Sequence, residues 1–263
     1  MSIFLHLQRF SQLPGLLALI ALLLSTGCTN LHKQTEAPAD TSPLLPFTTI
    51  SALESPATEQ VHRQWQVFCF RMPFNAETGP RWSLDTLLAD SIIAPAIYQQ
   101  GNALPLWRIH RRAADDSAGH QVRFIAYADE ITLKQIESTL LDNPLLSELM
   151  SAGYVDRVIA SCGPKDTAAE LEATSDPNWS IDMQRAWPYF AMGVSATWLK
   201  LIEQKRNTYE TEPATLDELI TRYDEIHESV TLTWEKEGQH AFLHHLNALF
   251  GYQPLFVQKY LRF

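Results

Sequence analysis

This chain of 263 residues lacks several features that would assign it quickly. It has no apolar run long enough to cross a bilayer. The unbroken run Leu16–Leu24 holds nine residues, where a spanning helix needs about 20. The longer stretch Trp187–Ile202 is interrupted by Gly193, Ser195 and Thr197, so it reads as a buried helix of the core. Positive charge is in deficit, with 20 Lys and Arg against 30 Asp and Glu, a net charge of −10. That balance argues against nucleic acid and anionic lipid as general partners, because both select basic surfaces. There are three cysteines. No G-x-G-x-x-G, phosphate loop, C-x-x-C or S-x-x-K occurs, so the common cofactor and nucleophile signatures are missing and no cofactor is expected.

What is present begins at the N-terminus. Arg9, the Leu16–Leu24 run and the small residues Ser25, Thr26 and Gly27 have the layout of a secretory signal peptide over residues 1–27. The run closes in LSTGC, which resembles the lipobox of bacterial lipoproteins. Ser25 stands where that family most often has leucine. The resemblance implies that Cys28 is lipidated and becomes the first mature residue, holding the protein at a membrane. It also implies an outer-membrane destination with the domain facing the periplasm, because Thr29, and not aspartate, follows the cysteine. Loss of Arg9, the one formal charge before Cys28, takes the net charge from −10 to −11. Residues 28–60 carry Pro38, Pro43, Pro46 and Pro56 among Thr, Ser and Ala and read as a flexible tether. In an oxidising compartment Cys69 and Cys162 could pair; two buried free thiols would explain them equally, and spacing does not decide.

Residues 61–165 suggest an α+β sandwich. WQVFCFRM, Trp65–Met72, is apolar on both faces, as a central strand covered on both sides would be. Ser83 can cap a helix with Leu84, Leu87, Leu88, Ile92 and Ile93 on one side. LWRIHRR, Leu106–Arg112, and HQVRFIAYA, His120–Ala128, alternate around a polar loop with Asp115, Asp116 and Gly119, as a hairpin should. Thr132 and Gln135 form a capping box for a helix to about Leu141. A further helix over Pro144–Met150 ends at Gly153, and YVDRVIASC supplies a fourth strand. The order β-α-β-β-α-β predicts a ferredoxin-like sandwich. The doubly apolar first strand needs cover on its second face, which the helical region 166–263 is expected to supply.

In that region Asp176 and Pro177 suggest a cap and first turn, and Thr215 with Glu218 a capping box. The long helix they open has Leu216, Leu219, Tyr223, Ile226, Val230 and Trp234 inward and ends at Gly238. A last helix runs from about Gln239 to Phe250. The tail Pro254–Phe263 alternates and ends in phenylalanine, resembling the C-terminal signal of outer-membrane β-barrels, but too few strands precede it for a barrel.

Little of this carries chemistry by itself. GVSAT, Gly193–Thr197, lacks the second glycine of a nucleophile elbow, and HESVT, His227–Thr231, lacks the second histidine of a zincin. His240 and His244, one turn apart near Glu237, are the best-placed metal ligands, with His245 at the edge of their face. That face is opposite the Phe242, Leu246 and Leu249 stripe and offers no further fixed ligand, so no metal is expected. The acids Asp217, Glu218, Asp224, Glu225 and Glu228 read as a solvated helix face.

The hairpin concentrates Arg108, Arg111, Arg112 and Arg123 in an acidic chain, with His120 beside them. Two accounts fit: an edge strand charged against aggregation, or an anion site using arginine's planar fork. Alternation places Arg108, His110 and Arg112 on one face and Trp107, Ile109 and Arg111 on the other. The succession WQVFCFR, LDTLLADSIIAP, LPLWRIHRR, GHQVRF and SAGYV resembles the elimination-type C-terminal domain of lantibiotic and thiopeptide dehydratases over Trp65–Val158. HQVRF has one of the two arginines of that family's H-L-R-L-R run, and the downstream R-Y-G-G element has no counterpart. The resemblance implies functional interest in Arg108, Arg111, His120 and Arg123. Two functions are therefore carried forward. One is a lipid-anchored module that binds or assembles an envelope protein partner. The alternative is a peptide-modification enzyme acting through the hairpin.

Overall fold

The computed structural model describes residues 62–75, 77–163 and 167–252. The signal segment, Cys28, the tether and the alternating tail lie outside the described residues.

Strand β1 (Arg63–Met72) leads into α1 (Trp82–Leu88), which passes through one π turn, Ala89–Ile93, into α2 (Ala94–Gln100). β2 (Leu106–Arg112) and β3 (His120–Asp129) form the hairpin. Then come α3 (Glu130–Leu141), α4 (Pro144–Ser151) and β4 (Arg157–Ile159). The C-terminal region holds α5 (Ile181–Arg206), α6 (Leu216–Thr233), a second π turn at Trp234–Gly238 and α7 (Gln239–Leu249). The four strands form one antiparallel sheet in the order β2-β3-β1-β4.

The pleat sorts β1 into two buried faces. Phe68, Phe70 and Met72 join Val122, Phe124, Ala126 and Ala128 of β3 beneath the helices. This inner core also takes Leu199 and Ile202 of α5 and Ile220, Tyr223, Ile226 and Val230 of α6, so sheet and C-terminal helices share one apolar interior. Trp65, Val67 and Cys69 face the other way, with Leu106 and Ile125.

Several local expectations are corrected. Region 166–263 does cover the second face, through Leu171, Ala173 and, from α5, Met192, together with Cys162, but the cover does not come from its long amphipathic helix. α6 packs on the helical side instead. The segment after β4 bonds along the free edge of β1, with Trp65 N–H to Ala168 O at 2.9 Å and Thr167 N–H to Trp65 O at 2.8 Å. β4 itself is only three residues. Cys69 and Cys162 are disulfide-bonded, with Cα atoms 6.1 Å apart.

Helix starts moved where a competing oxygen was better placed. α1 begins after Arg81, and Ser83 donates its hydroxyl to Asp224 of α6. Asp224 also receives Arg81 at 2.5 Å, so one of the acids assigned to solvent anchors α6 to α1. α3 is capped by Asp129, which accepts from Thr132 N–H at 2.8 Å and Thr132 Oγ1 at 3.0 Å. A carboxylate is a strong N-cap acceptor. Asp176 closes a turn through Asn178 N–H, and α5 starts at the Ser180 cap. Thr215 caps α6, while Glu218 reaches back to Ala214 N–H at 2.8 Å.

Gly238 does not end α6. The π turn carries the helix on into α7 with Gly238 in ordinary helical geometry, φ −62° and ψ −41°. Glycine is needed there for space, since a Cβ would lie 2.8 Å from Cε3 of Trp234. Nor is Trp187–Ile202 buried all round. Within α5 only Pro188, Ser195, Leu199 and Ile202 are buried, and Tyr189, Phe190 and Val194 are exposed.

Candidate functional site

The arginines of the hairpin are divided by the pleat of β2 into two environments. Arg111 enters the helical side. Its Nε donates to Asp85 Oδ2 at 2.7 Å and its Nη2 to the Trp82 carbonyl at 3.0 Å. The guanidinium is held between indoles, 4.8 Å from the Trp82 ring centre and 5.0 Å from that of Trp198. Asp85 is fully buried and its other oxygen lies 2.6 Å from Nε2 of the fully buried His120. The other ring nitrogen of His120, Nδ1, is buried with no hydrogen-bond partner among the described residues. One carboxylate thus serves both a guanidinium and an imidazole.

Above this trio lies an apolar groove of about 350 Å³ between β2, α5, α6 and the start of α7. Ile109, Val194, Trp198, Leu201, Trp234 and Phe242 form its walls. Arg111, His110 and His227 are its ionisable lining groups. His227 Nδ1 lies 3.2 Å from Thr86 Oγ1. Burial, then the nearby Arg111 charge, hold its imidazole below the usual value, against the opposing pull of Asp85 and Asp224. Ser195 on the groove floor gives its hydroxyl to Ala191 O at 2.8 Å and accepts the Ile109 N–H at 3.1 Å. It is a backbone bridge from α5 to the edge strand.

The groove opens onto α5. Trp187, Phe190, Val194, Trp198 and Leu201 follow helical spacing, so one stripe runs from the groove along the exposed half of the helix. Phe190 is 43% and Val194 47% exposed. Trp187 is clasped by Trp179 at 5.1 Å and Phe190 at 5.4 Å between ring centres.

Arg108, His110, Arg112 and Arg123 share the outer face of the sheet with Arg71. Arg108 is bonded to Thr174 through Nη1 to Oγ1 at 3.1 Å and Nη2 to the carbonyl at 2.9 Å, and lies over Trp65. Burial without a carboxylate lowers it to about 10. Arg112 pairs with Asp116, which also closes the hairpin turn. Arg123 is lowered by burial and then by Arg112 and Arg71, and His110 by burial and by Arg123, Arg108 and Arg112. The five residues singled out for anion binding thus form no single cluster: Arg111 and His120 meet Asp85 on one side, Arg108, Arg112 and Arg123 lie on the other.

His240 and His244 lie on exposed α7 with ring centres 5.7 Å apart. Among the described residues no three His, Cys, Asp or Glu side chains are placed to share a metal ion. Asp85, Thr86, His227 and Arg71 were not anticipated. Asp85 had a signal, a lone acid at the margin of the apolar stripe of α1; the others have none outside the tertiary structure. No family model, curated protein or solved structure matches the chain.

Proposed function

We propose that this chain is a lipid-anchored envelope protein, attached at Cys28, whose periplasmic domain binds a protein partner along the α5 stripe and into the groove. The partner lays an apolar segment over Phe190 and Val194 and inserts a side chain between Trp198 and Trp234. The carrying observation is continuity: a concave apolar pocket and an exposed aromatic stripe share Val194 as a common residue. A monomeric surface rarely leaves such a patch uncovered. Helix-in-groove recognition uses this spacing of anchors, and buried aromatic residues dominate such interfaces.

The domain itself we read as a ferredoxin-like sandwich. The antiparallel order β2-β3-β1-β4, with helices between β1 and β2 and between β3 and β4, supports that reading. A photo-crosslinking residue at position 194 of the full-length chain, activated in its own envelope, tests the binding surface. A single defined adduct that disappears with Phe190→Glu is expected. An adduct of twice the chain mass, or none, overturns binding of a foreign protein.

A further inference from the structure

We propose that the outer sheet face centred on Arg123 is a binding site for a small phosphate-bearing ligand. The register puts Arg123 directly across from His110 on β2 and from Cys69 on β1. Arg108 and Arg112 are then its diagonal neighbours on one side and Arg71 on the other. Diagonal neighbours stand about 7–8 Å apart, well within the reach of arginine side chains. Three arginines therefore surround a fourth on one face of a chain whose net charge is −10.

Of these four, among the described residues, only Arg112 pairs with an acid, Asp116. The rest are held by neutral oxygens. Arg108 bonds to Thr174, Arg71 Nη1 to the Ser117 carbonyl at 3.2 Å, and Arg123 to Gln121, whose turned amide oxygen accepts Nε at 3.1 Å and Nη2 at 2.7 Å. Neutral acceptors fix the direction of a guanidinium without cancelling its charge. Arg71 Nε is buried with no partner. All four arginines are partly buried, which raises the cost of keeping like charges together without counter-ions. Burial alone lowers Arg108, while Arg123 and His110 are lowered by burial first and then by the neighbouring arginine charges. An external anion is the missing partner.

Its chemistry follows from the number of forks. A carboxylate offers one bidentate edge, which one arginine satisfies; a phosphate monoester has three terminal oxygens and can serve several guanidinium groups at once. A bilayer is the less suitable source. Asp115, Asp116 and Asp156 rim the neighbouring dish around Arg71 and Arg157, and an anionic membrane surface would meet them together. A single phosphate reaches Arg123 past them. Of its residues only His110 also lines the groove and the four arginines do not, so the site stands or falls independently of the partner reading.

The test is calorimetric titration of the full-length, disulfide-intact protein with inorganic pyrophosphate at low ionic strength. We expect one site, weakened roughly tenfold or more by Arg123→Gln, where a tenfold change corresponds to about 1.4 kcal/mol. It should also weaken in about 0.5 M salt, where screening lengths shorten to a few ångström. Arg71→Gln reads the same site if Arg123→Gln fails to fold. Arg185→Gln, whose side chain pairs with Glu172 on a different element, should leave binding unchanged. No pyrophosphate binding, or equal weakening by Arg185→Gln, overturns the proposal. So does binding only to phosphatidylglycerol vesicles without pyrophosphate competition, which would make the face a membrane contact.

Discussion

The hydroxyl of Ser195 accepts the backbone N–H of Ile109 at 3.1 Å, so a helix side chain occupies the edge of β2 where another strand could pair. Exposed strand edges invite association, and here α5 lies across one. Ser195→Ala removes the acceptor and leaves that N–H unsatisfied. A loss of about 1–2 kcal/mol is expected in urea unfolding. A variant as stable as the wild type would show that Ile109 finds another partner.

Asp85 ties Arg111 and His120 together from a fully buried position. Asp85→Ala leaves a guanidinium and an imidazole without their shared acceptor, and breaking such a buried pair costs about 3–5 kcal/mol. Chemical denaturation should show that loss together with a changed environment for Trp82 and Trp198, the rings that enclose Arg111. A loss under about 1 kcal/mol would mean that the trio contributes little to holding α1 against β2.

Asp90 titrates in the opposite sense to a salt-bridged carboxylate. Burial raises it above the ordinary 3.8, more than the Tyr223 hydroxyl at 2.6 Å and Arg206 at 3.0 Å lower it. The folded state therefore holds this proton more tightly than the unfolded chain. The resulting contribution is fully present below pH 3.8 and is lost as pH rises through the elevated folded value. Asp90→Asn should gain stability relative to wild type as pH rises across that window. A difference that shrinks with rising pH would reverse the assignment.

Gly238 owes its place to Trp234. Alanine in a helix interior normally gains about 1 kcal/mol over glycine. Here its Cβ would stand 2.8 Å from the indole, so the ring must move. Gly238→Ala should forfeit that gain and shift tryptophan emission. A simple stabilisation with unchanged emission would show that Trp234 does not rest on the glycine.

β1, β2 and β3 were legible because each had a short-range cause: two-faced apolarity in β1, alternation and a Gly119 turn in the hairpin. α4 was legible too, its Asn143 cap and Pro144 being local. The starts of α1 and α3 were not, since Ser83 found Asp224, 141 positions away, and Asp129 took the cap beside Thr132. The continuation of α6 into α7 was hidden because a glycine that breaks a helix and one that admits an indole look alike in sequence. At the site, alternation correctly separated Arg111 from Arg108 and Arg112. The partner of Arg111 depended on how α1 packs against β2, which no spacing reveals. The apolar stretch of α5 shows the limit of composition: it fits a buried helix and an uncovered interface equally.

The central claim, that the α5 stripe and its groove bind a protein partner, is tested most directly by native electrophoresis of the full-length protein extracted from its envelope. Val194→Glu places a charge at the junction of groove and stripe, and Ile131→Glu places one on α3, where Ile131 is 71% exposed. The account predicts a complex larger than the free chain for wild type and Ile131→Glu. Val194→Glu should migrate as the free chain with an unchanged melting temperature. Equal migration of all three proteins would contradict it.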